Sequence, residues 1–368
     1  MRMGLCGTLA VAICVAAAPG QTTRPAAEPE PKAAALLLAG LGGSEPYSRN
    51  LLDWINRFHA VLVNKCQLKP DNIVVLTEKA DPNANPPRQQ STLEEFRSAM
   101  VKMRKTLTPK DQFILFLAGH GQINEPTGKL SLPGKDIDAD ELADLIGELP
   151  TRKVVIINTA SGGSEFLKTY TAGGRVILTA GGAGDDGNQT YFAEFFIRGY
   201  ETGQADLDKN GLIDMLEAYA YAARWTANFY HRQTLISTRR KVGDPLIWLV
   251  RGKETRQIWR KLYAGTGDQL GRPNPVRDKD GNLVDPLPKD LDSEPDPEMK
   301  FGRFDKHWYN RRVLPEHARL DDDDTKKGFY LWMPYQFEDL PKDEPGEKGH
   351  LARRTVLGKT ELRQIPAK

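Results

Sequence analysis

Uninterrupted apolar runs alternate along this chain with segments whose apolar residues recur every three or four positions. Ala33–Ala39 is apolar throughout and stops at Gly40. Ile73–Leu76, Gln112–Leu117, Lys153–Asn158 and Arg175–Thr179 repeat that texture, and Pro245–Val250 is a sixth such run. Between them, Ser48–Val63 lines up Leu51, Trp54, Ile55, Phe58 and Leu62 at helical spacing. Thr92-x-x-Glu95 and Asp138-x-x-Glu141 are capping boxes that open helices over 92–106 and 138–148, the second stopped by Pro150. Further helices are expected over about 190–200 and 214–230. Strands apolar on both faces, alternating with helices, predict an α/β domain: a mostly parallel six-stranded sheet with helices on both faces. Ligand sites in such sheets open beyond the C-terminal ends of the strands.

The ends of the chain read differently. Met1-Arg2, the apolar stretch Leu5–Ala18 and the small residues Ala18-Pro19-Gly20 make residues 1–20 a secretory signal, so the protein is expected to be exported, periplasmic or secreted. Residues 21–32 form a Pro- and Ala-rich flexible leader, and residues 33–253 the α/β domain. Residues 254–368 read as an extended, Pro-rich, charged tail with aromatic anchors around Phe301, Phe304, Trp308 and Phe329–Trp332, and Asp321–Asp324 as a solvated acidic loop. No later apolar run is long enough to span a membrane. With 51 basic against 49 acidic residues, the net charge of +2 argues against nucleic acid as a partner. Once Cys6 and Cys14 leave with the signal, Cys66 alone remains, which excludes an intrachain disulfide and a cysteine-based metal site.

The residues with chemistry cluster at strand ends. The third run ends Ala118-Gly119-His120-Gly121, a histidine between glycines, suited to a general base beside a backbone N–H that can face an anion. The fourth ends Asn158-Thr159-Ala160-Ser161-Gly162-Gly163-Ser164, a small-residue turn leading into a helix. A Ser in such a turn is either a nucleophile or the N-cap of the next helix.

Over residues 33–250 this order of elements, with Gly40-Leu-Gly-Gly43, Tyr47, Trp54 and Leu132-Pro-Gly134, resembles the caspase–legumain superfamily of cysteine peptidases, and more narrowly a group of secreted bacterial legumain-like proteins. The resemblance implies a three-layer sandwich, His120 as catalytic base and Gly121 as oxyanion donor. It also implies a nucleophilic Cys just past the fourth strand, where this chain has Asn158, Thr159, Ala160 and Ser161. Cys66 precedes the second strand, at the opposite edge of the sheet. Three readings are open: a pseudopeptidase that binds peptide or protein, a hydrolase using Ser161 or Thr159 with His120, and a scaffold that makes no use of the cleft.

Asp206-x-Asp208-x-Asn210-Gly211-Leu212-x-Asp214-x-x-Glu217 matches a calcium loop of the EF-hand type, with side-chain oxygens from Asp206, Asp208, Asn210, Asp214 and Glu217 and the backbone carbonyl of Leu212. Calcium is the one candidate cofactor. The competing reading is local: Asp214-x-x-Glu217 is also a capping box and Asn210-Gly211 a turn. Asp278–Asn282 lacks the closing Glu and reads as a turn. Gly40-x-Gly42-Gly43 lacks the third glycine of a dinucleotide fingerprint.

Overall fold

Seven consecutive buried residues make Ala33–Ala39 (β1) a strand covered on both faces, in the interior of the main sheet. The structure, a computed structural model, describes residues 30–122, 128–181, 190–240, 276–277, 283–284, 316, 318–322, 328–329, 340–341 and 343–363. The expected signal, most of the expected leader, the apolar run 245–250, the expected turn 278–282 and most of the tail's aromatic residues lie outside them.

In chain order the strands are β1, Ile73–Thr77 (β2), Gln89–Gln90 (β3), Gln112–Ala118 (β4), Gly121–Gln122 (β5), Lys129–Leu130 (β6), Ile137–Asp138 (β7), Lys153–Asn158 (β8), Arg175–Thr179 (β9), Val276–Arg277 (β10), Leu283–Val284 (β11) and Arg319–Asp321 (β12). The helices are Glu45–Asn64 (α1), Leu93–Thr106 (α2), Ala139–Gly147 (α3), Gly163–Tyr170 (α4), Phe192–Thr202 (α5), Met215–Arg240 (α6) and His350–Arg354 (α7). The main sheet runs β12-β9-β8-β4-β1-β2-β3, parallel throughout except for β12, which is antiparallel to β9. β5, β6 and β7 form a small antiparallel bracket between β4 and α3, and β10 pairs with β11.

The architecture is the expected α/β sheet: five of the six expected strands form it, the sixth run, 245–250, lying outside the described residues, and two further strands bring it to seven. The two additions, β3 and β12, are Gln-Gln and Arg-Leu-Asp at the two edges. They are held by backbone pairing, so no apolar run announces them. β12 also corrects the reading of 321–324 as solvated: Asp321 is buried in the strand, and the Asp322 carboxylate caps α7 by accepting from Gly349 N and Ala352 N, both at 2.9 Å.

Other parts of the expected tail pack on the domain too. Glu316 accepts from the N–H groups of Tyr191 and Phe192 and so caps α5, and Tyr219 Oη donates to Ala318 O at 2.7 Å. Gln112, at the base of β4, donates to Val356 O and accepts from Gly358 N.

Alternate side chains of each strand feed two cores. Leu37, Ile114, Phe116, Val155 and Ile157 meet α1, α5 and α6 on one face; Leu36, Leu38, Leu115, Leu117 and Ile156 meet α2, α3 and α4 on the other. Phe58 and Phe116 pack with centroids 4.6 Å apart and planes tilted by 36° at the first interface, and truncating such a ring to Ala costs about 3–5 kcal/mol. α1 is further fixed to α5 by the buried Arg57, whose guanidinium binds Glu194 at 2.6 Å and Glu201 at 2.8 Å. No helix of the described residues is long and apolar enough to cross a membrane.

From β1 the chain adds β2 and β3 on one side, then returns to add β4, β8 and β9 on the other. The order therefore reverses between β1 and β4, and the crevice beyond their C-terminal ends is where an open parallel sheet receives ligands.

Candidate functional site

His120 stands in that crevice, two residues past β4. Gly119, at φ 153°, lets the end of β4 come close to β1: a Cβ there would lie 3.3 Å from Gly40 Cα. The His120 Nε2 lies 2.8 Å from Gly42 O, in the loop after β1. A carbonyl only accepts, so Nε2 carries the proton and the neutral ring leaves Nδ1 as its acceptor. Tyr47, at the start of α1, meets the half-buried ring edge-on, centroids 5.9 Å apart.

The second strand end lies beside it, because β4 and β8 are parallel neighbours. Ser161 Oγ accepts from Gly121 N at 2.9 Å and donates to Gly121 O at 3.3 Å. A Cβ on Gly121 would fall 2.0 Å from Ser161 O, so only glycine allows this approach. Thr159, buried, donates from Oγ1 to Leu117 O at 2.8 Å. The structure thus brings His120, Gly121, Ser161 and Thr159 to one edge of the sheet but makes no hydrogen bond from either hydroxyl to the imidazole. The Gly121 N–H, read from sequence as an anion donor, is occupied by Ser161. Ser161 does not cap α4 either: the N-cap is Gly162, at φ 66°.

Two polar groups here carry no signal in the sequence. Asn158 Nδ2 and Thr179 Oγ1 are buried without a partner, at register-paired positions where β8 and β9 end. A third is Glu78, directly after β2, whose Oε2 accepts from Ser48 Oγ at 2.6 Å and Gly42 N at 3.4 Å. Nothing in the local sequence marks Glu78, because its partners lie 30 and 36 residues away.

Cys66 lies between α1 and β2, on the N-terminal side of the sheet, whereas His120 lies beyond the C-terminal ends. It is buried, and burial pushes its thiol up to about 12 despite the nearby Lys359.

The acidic loop joins α5 to α6. Asp206, Asp208 and Glu217 bring carboxylate oxygens within 4.8 Å of one another, a cluster that could hold one divalent cation. These carboxylates accept backbone N–H groups of the loop, Glu217 from Leu207 and Asp208, and Asp206 from Asn210 and Gly211; two further expected ligands, Asp214 and Asn210, bond locally. Asp214 caps α6, with Glu217 N donating to its Oδ1 at 2.9 Å and Asp214 N donating back to Glu217 Oε2 at 3.1 Å, the reciprocal capping box. The Asn210 amide turns to Asp208, while Leu212 N donates to Asn210 Oδ1. Arg363, from near the end of the chain, pairs with Asp208 at 3.0 Å and Asp214 at 3.5 Å. Burial, then repulsion from Glu217, holds the Asp214 carboxyl well above the usual range; burial does the same for Glu217, to which Asp208 adds.

Neither a protein-family model nor a curated protein matches the sequence. Solved structures similar to it include a protein from Geobacter sulfurreducens, at 16% identity and a TM-score of 0.32, covering 47% of this chain and 83% of that one. They also include the Drosophila initiator caspase Dronc, at 8% identity and a TM-score of 0.30, covering 46% of this chain and 64% of the caspase.

Proposed function

We propose that the crevice between β1 and β4 binds an extended peptide or protein segment without cleaving it, as a pseudopeptidase of an exported α/β protein. The observation that carries this reading is the commitment of every candidate nucleophile: Ser161 to Gly121, Thr159 to Leu117 O, and Cys66 to the far side of the sheet. A nucleophile needs its base within about 2.6–3.2 Å, and here the imidazole instead bonds Gly42 O. The Gly-His-Gly turn and its order of elements, which resemble the caspase–legumain superfamily, supply the peptide-site analogy.

An immobilised library of extended octapeptides tests this. Wild-type protein should bind a subset without releasing fragments, and Tyr47→Ala and His120→Ala should weaken that binding while Arg104→Ala, on the far end of α2, leaves it intact. Cleavage that disappears in Ser161→Ala and His120→Ala would instead establish the hydrolase reading.

A further inference from the structure

We propose that Glu78 is a positioning residue which, through Ser48 and Gly42, holds His120 with Nε2 protonated and leaves Nδ1 to accept an N–H from the bound peptide. The inference rests on the peptide-site reading only for its last clause; the rest concerns the free protein.

The three elements converge at the switch point of the sheet. Glu78 directly follows β2, Gly42 sits in the loop after β1, and Ser48 lies in the first turns of α1. One carboxylate oxygen, Glu78 Oε2, accepts from both Ser48 Oγ (2.6 Å) and Gly42 N (3.4 Å). The first is a short charge-assisted bond, of the stronger kind. The loop it fixes has no slack: a Cβ on Gly42 would fall 2.4 Å from both Ser48 N and Ser48 Oγ. Gly43 follows at φ 70°, and a Cβ there would touch His120 Nε2 at 3.4 Å. With its amide side tied to Glu78, Gly42 presents its carbonyl to the imidazole at 2.8 Å. Nδ1 makes no hydrogen bond among the described residues. Neutral imidazole has one donor and one acceptor nitrogen, so fixing the donor on Nε2 decides what His120 can offer a ligand: an acceptor, suited to a backbone N–H.

The test is the tautomer of neutral His120, read from long-range proton–nitrogen correlation spectra of the 15N-labelled protein, with His120→Gln to assign the signals. Wild type should show an Nε2–H excess about fivefold or more above that of an unconstrained neutral histidine side chain, the bias that one net hydrogen bond supplies. In Glu78→Ala that excess should collapse. In Glu78→Gln it should persist, because an amide oxygen can accept both bonds; this rescue separates an acceptor from a mere space-filler. Glu78→Ala that keeps the wild-type ratio overturns the proposal. Should Glu78→Ala not fold, Ser48→Ala removes the shorter bond from an otherwise intact helix, and an unchanged ratio there overturns it equally.

The tightest octapeptide from the library supplies the second arm. Its affinity should fall about fivefold or more in the variant whose tautomer shifts. Unchanged affinity with a shifted tautomer refutes the Nδ1 contact. A tautomer shift in a protein that binds no octapeptide upholds the role of Glu78 and counts against the peptide site alone.

Discussion

Asp214→Asn should leave the protein at least as stable as wild type at neutral pH, although it alters a buried, doubly bonded carboxylate. Asp214 and Glu217 are both buried, at 1% and 0% exposure. The cap needs only an acceptor at Oδ1 toward Glu217 N, and an asparagine keeps it; alanine does not, and losing an N-cap costs about 0.5–2 kcal/mol. Charge acts the other way. The Asp214 carboxyl is raised above its unfolded-state value by burial and by Glu217. Below about pH 4 it is protonated in both states. As pH climbs through the window up to the raised native value, the folded state binds more protons than the unfolded one. Stability therefore falls with rising pH, by at most about 1.4 kcal/mol per pH unit for one group. Asparagine removes that loss at the expense of the 3.5 Å contact to Arg363, whose closer partner Asp208 remains. Urea unfolding of wild type, Asp214→Asn and Asp214→Ala at pH 4 to 8, with a chelator present, measures all of this. The expected order at pH 7 is Asn at or above wild type and Ala below. The Asn variant should also show the flatter pH dependence. An Asn variant as unstable as the Ala variant, or one with the wild-type slope, would refute the reasoning.

Millimolar calcium should raise the wild-type unfolding free energy measured in urea, by about 2.7 kcal/mol at a hundredfold excess over the dissociation constant. Asp206→Ala with Glu217→Ala should abolish the rise, Arg363→Ala should enlarge it by removing a competing cation, and no rise in wild type leaves the loop a helix cap only. Cys66 should resist iodoacetamide in the native protein, because its buried thiol stays protonated with a pKa pushed up to about 12. Gly358→Ala should speed that labelling at least tenfold, since a Cβ there would fall 2.0 Å from Cys66 O; equal rates would mean that the C-terminal segment does not cover the thiol. Export predicts a mature N-terminus near Gln21 on Edman sequencing, and an intact Met1 in a cytoplasmic fraction would contradict it.

Legibility in the sequence depends on which forces are local. β1, β2, β4, β8 and β9 are buried on both faces, so each is an apolar run that the eye can find. The N-caps are contacts three residues apart and the capping half of each box forms as read, Glu95 N to Thr92 Oγ1 at 3.3 Å and Glu141 N to Asp138 Oδ1 at 2.7 Å. β12 is invisible because its content is polar and its partner strand is over a hundred residues back. The candidate site divides the same way. His120 and Ser161 stand out because glycines flank or follow them. Their actual bonds, to Gly42 and Gly121, are long-range and cannot be read from either motif. The calcium-type spacing is legible in full, yet Arg363 enters that loop from 155 residues away.

The way the last fifty residues are stitched into the sheet sets a clock on folding. Gln112 bonds residues 244 and 246 positions further on, Glu316 caps a helix begun at Phe192, and β12 closes the edge of β9. A ribosome that has finished β9 still has about 140 residues to add before the strand that covers it exists, which at roughly 5–20 residues per second means several seconds or more. Throughout that interval β9 is a bare parallel edge, the kind that recruits foreign strands. The nascent chain therefore has every reason to be held open until its end emerges, and truncations from the C-terminus should appear as aggregation during synthesis before any loss shows in the cleft.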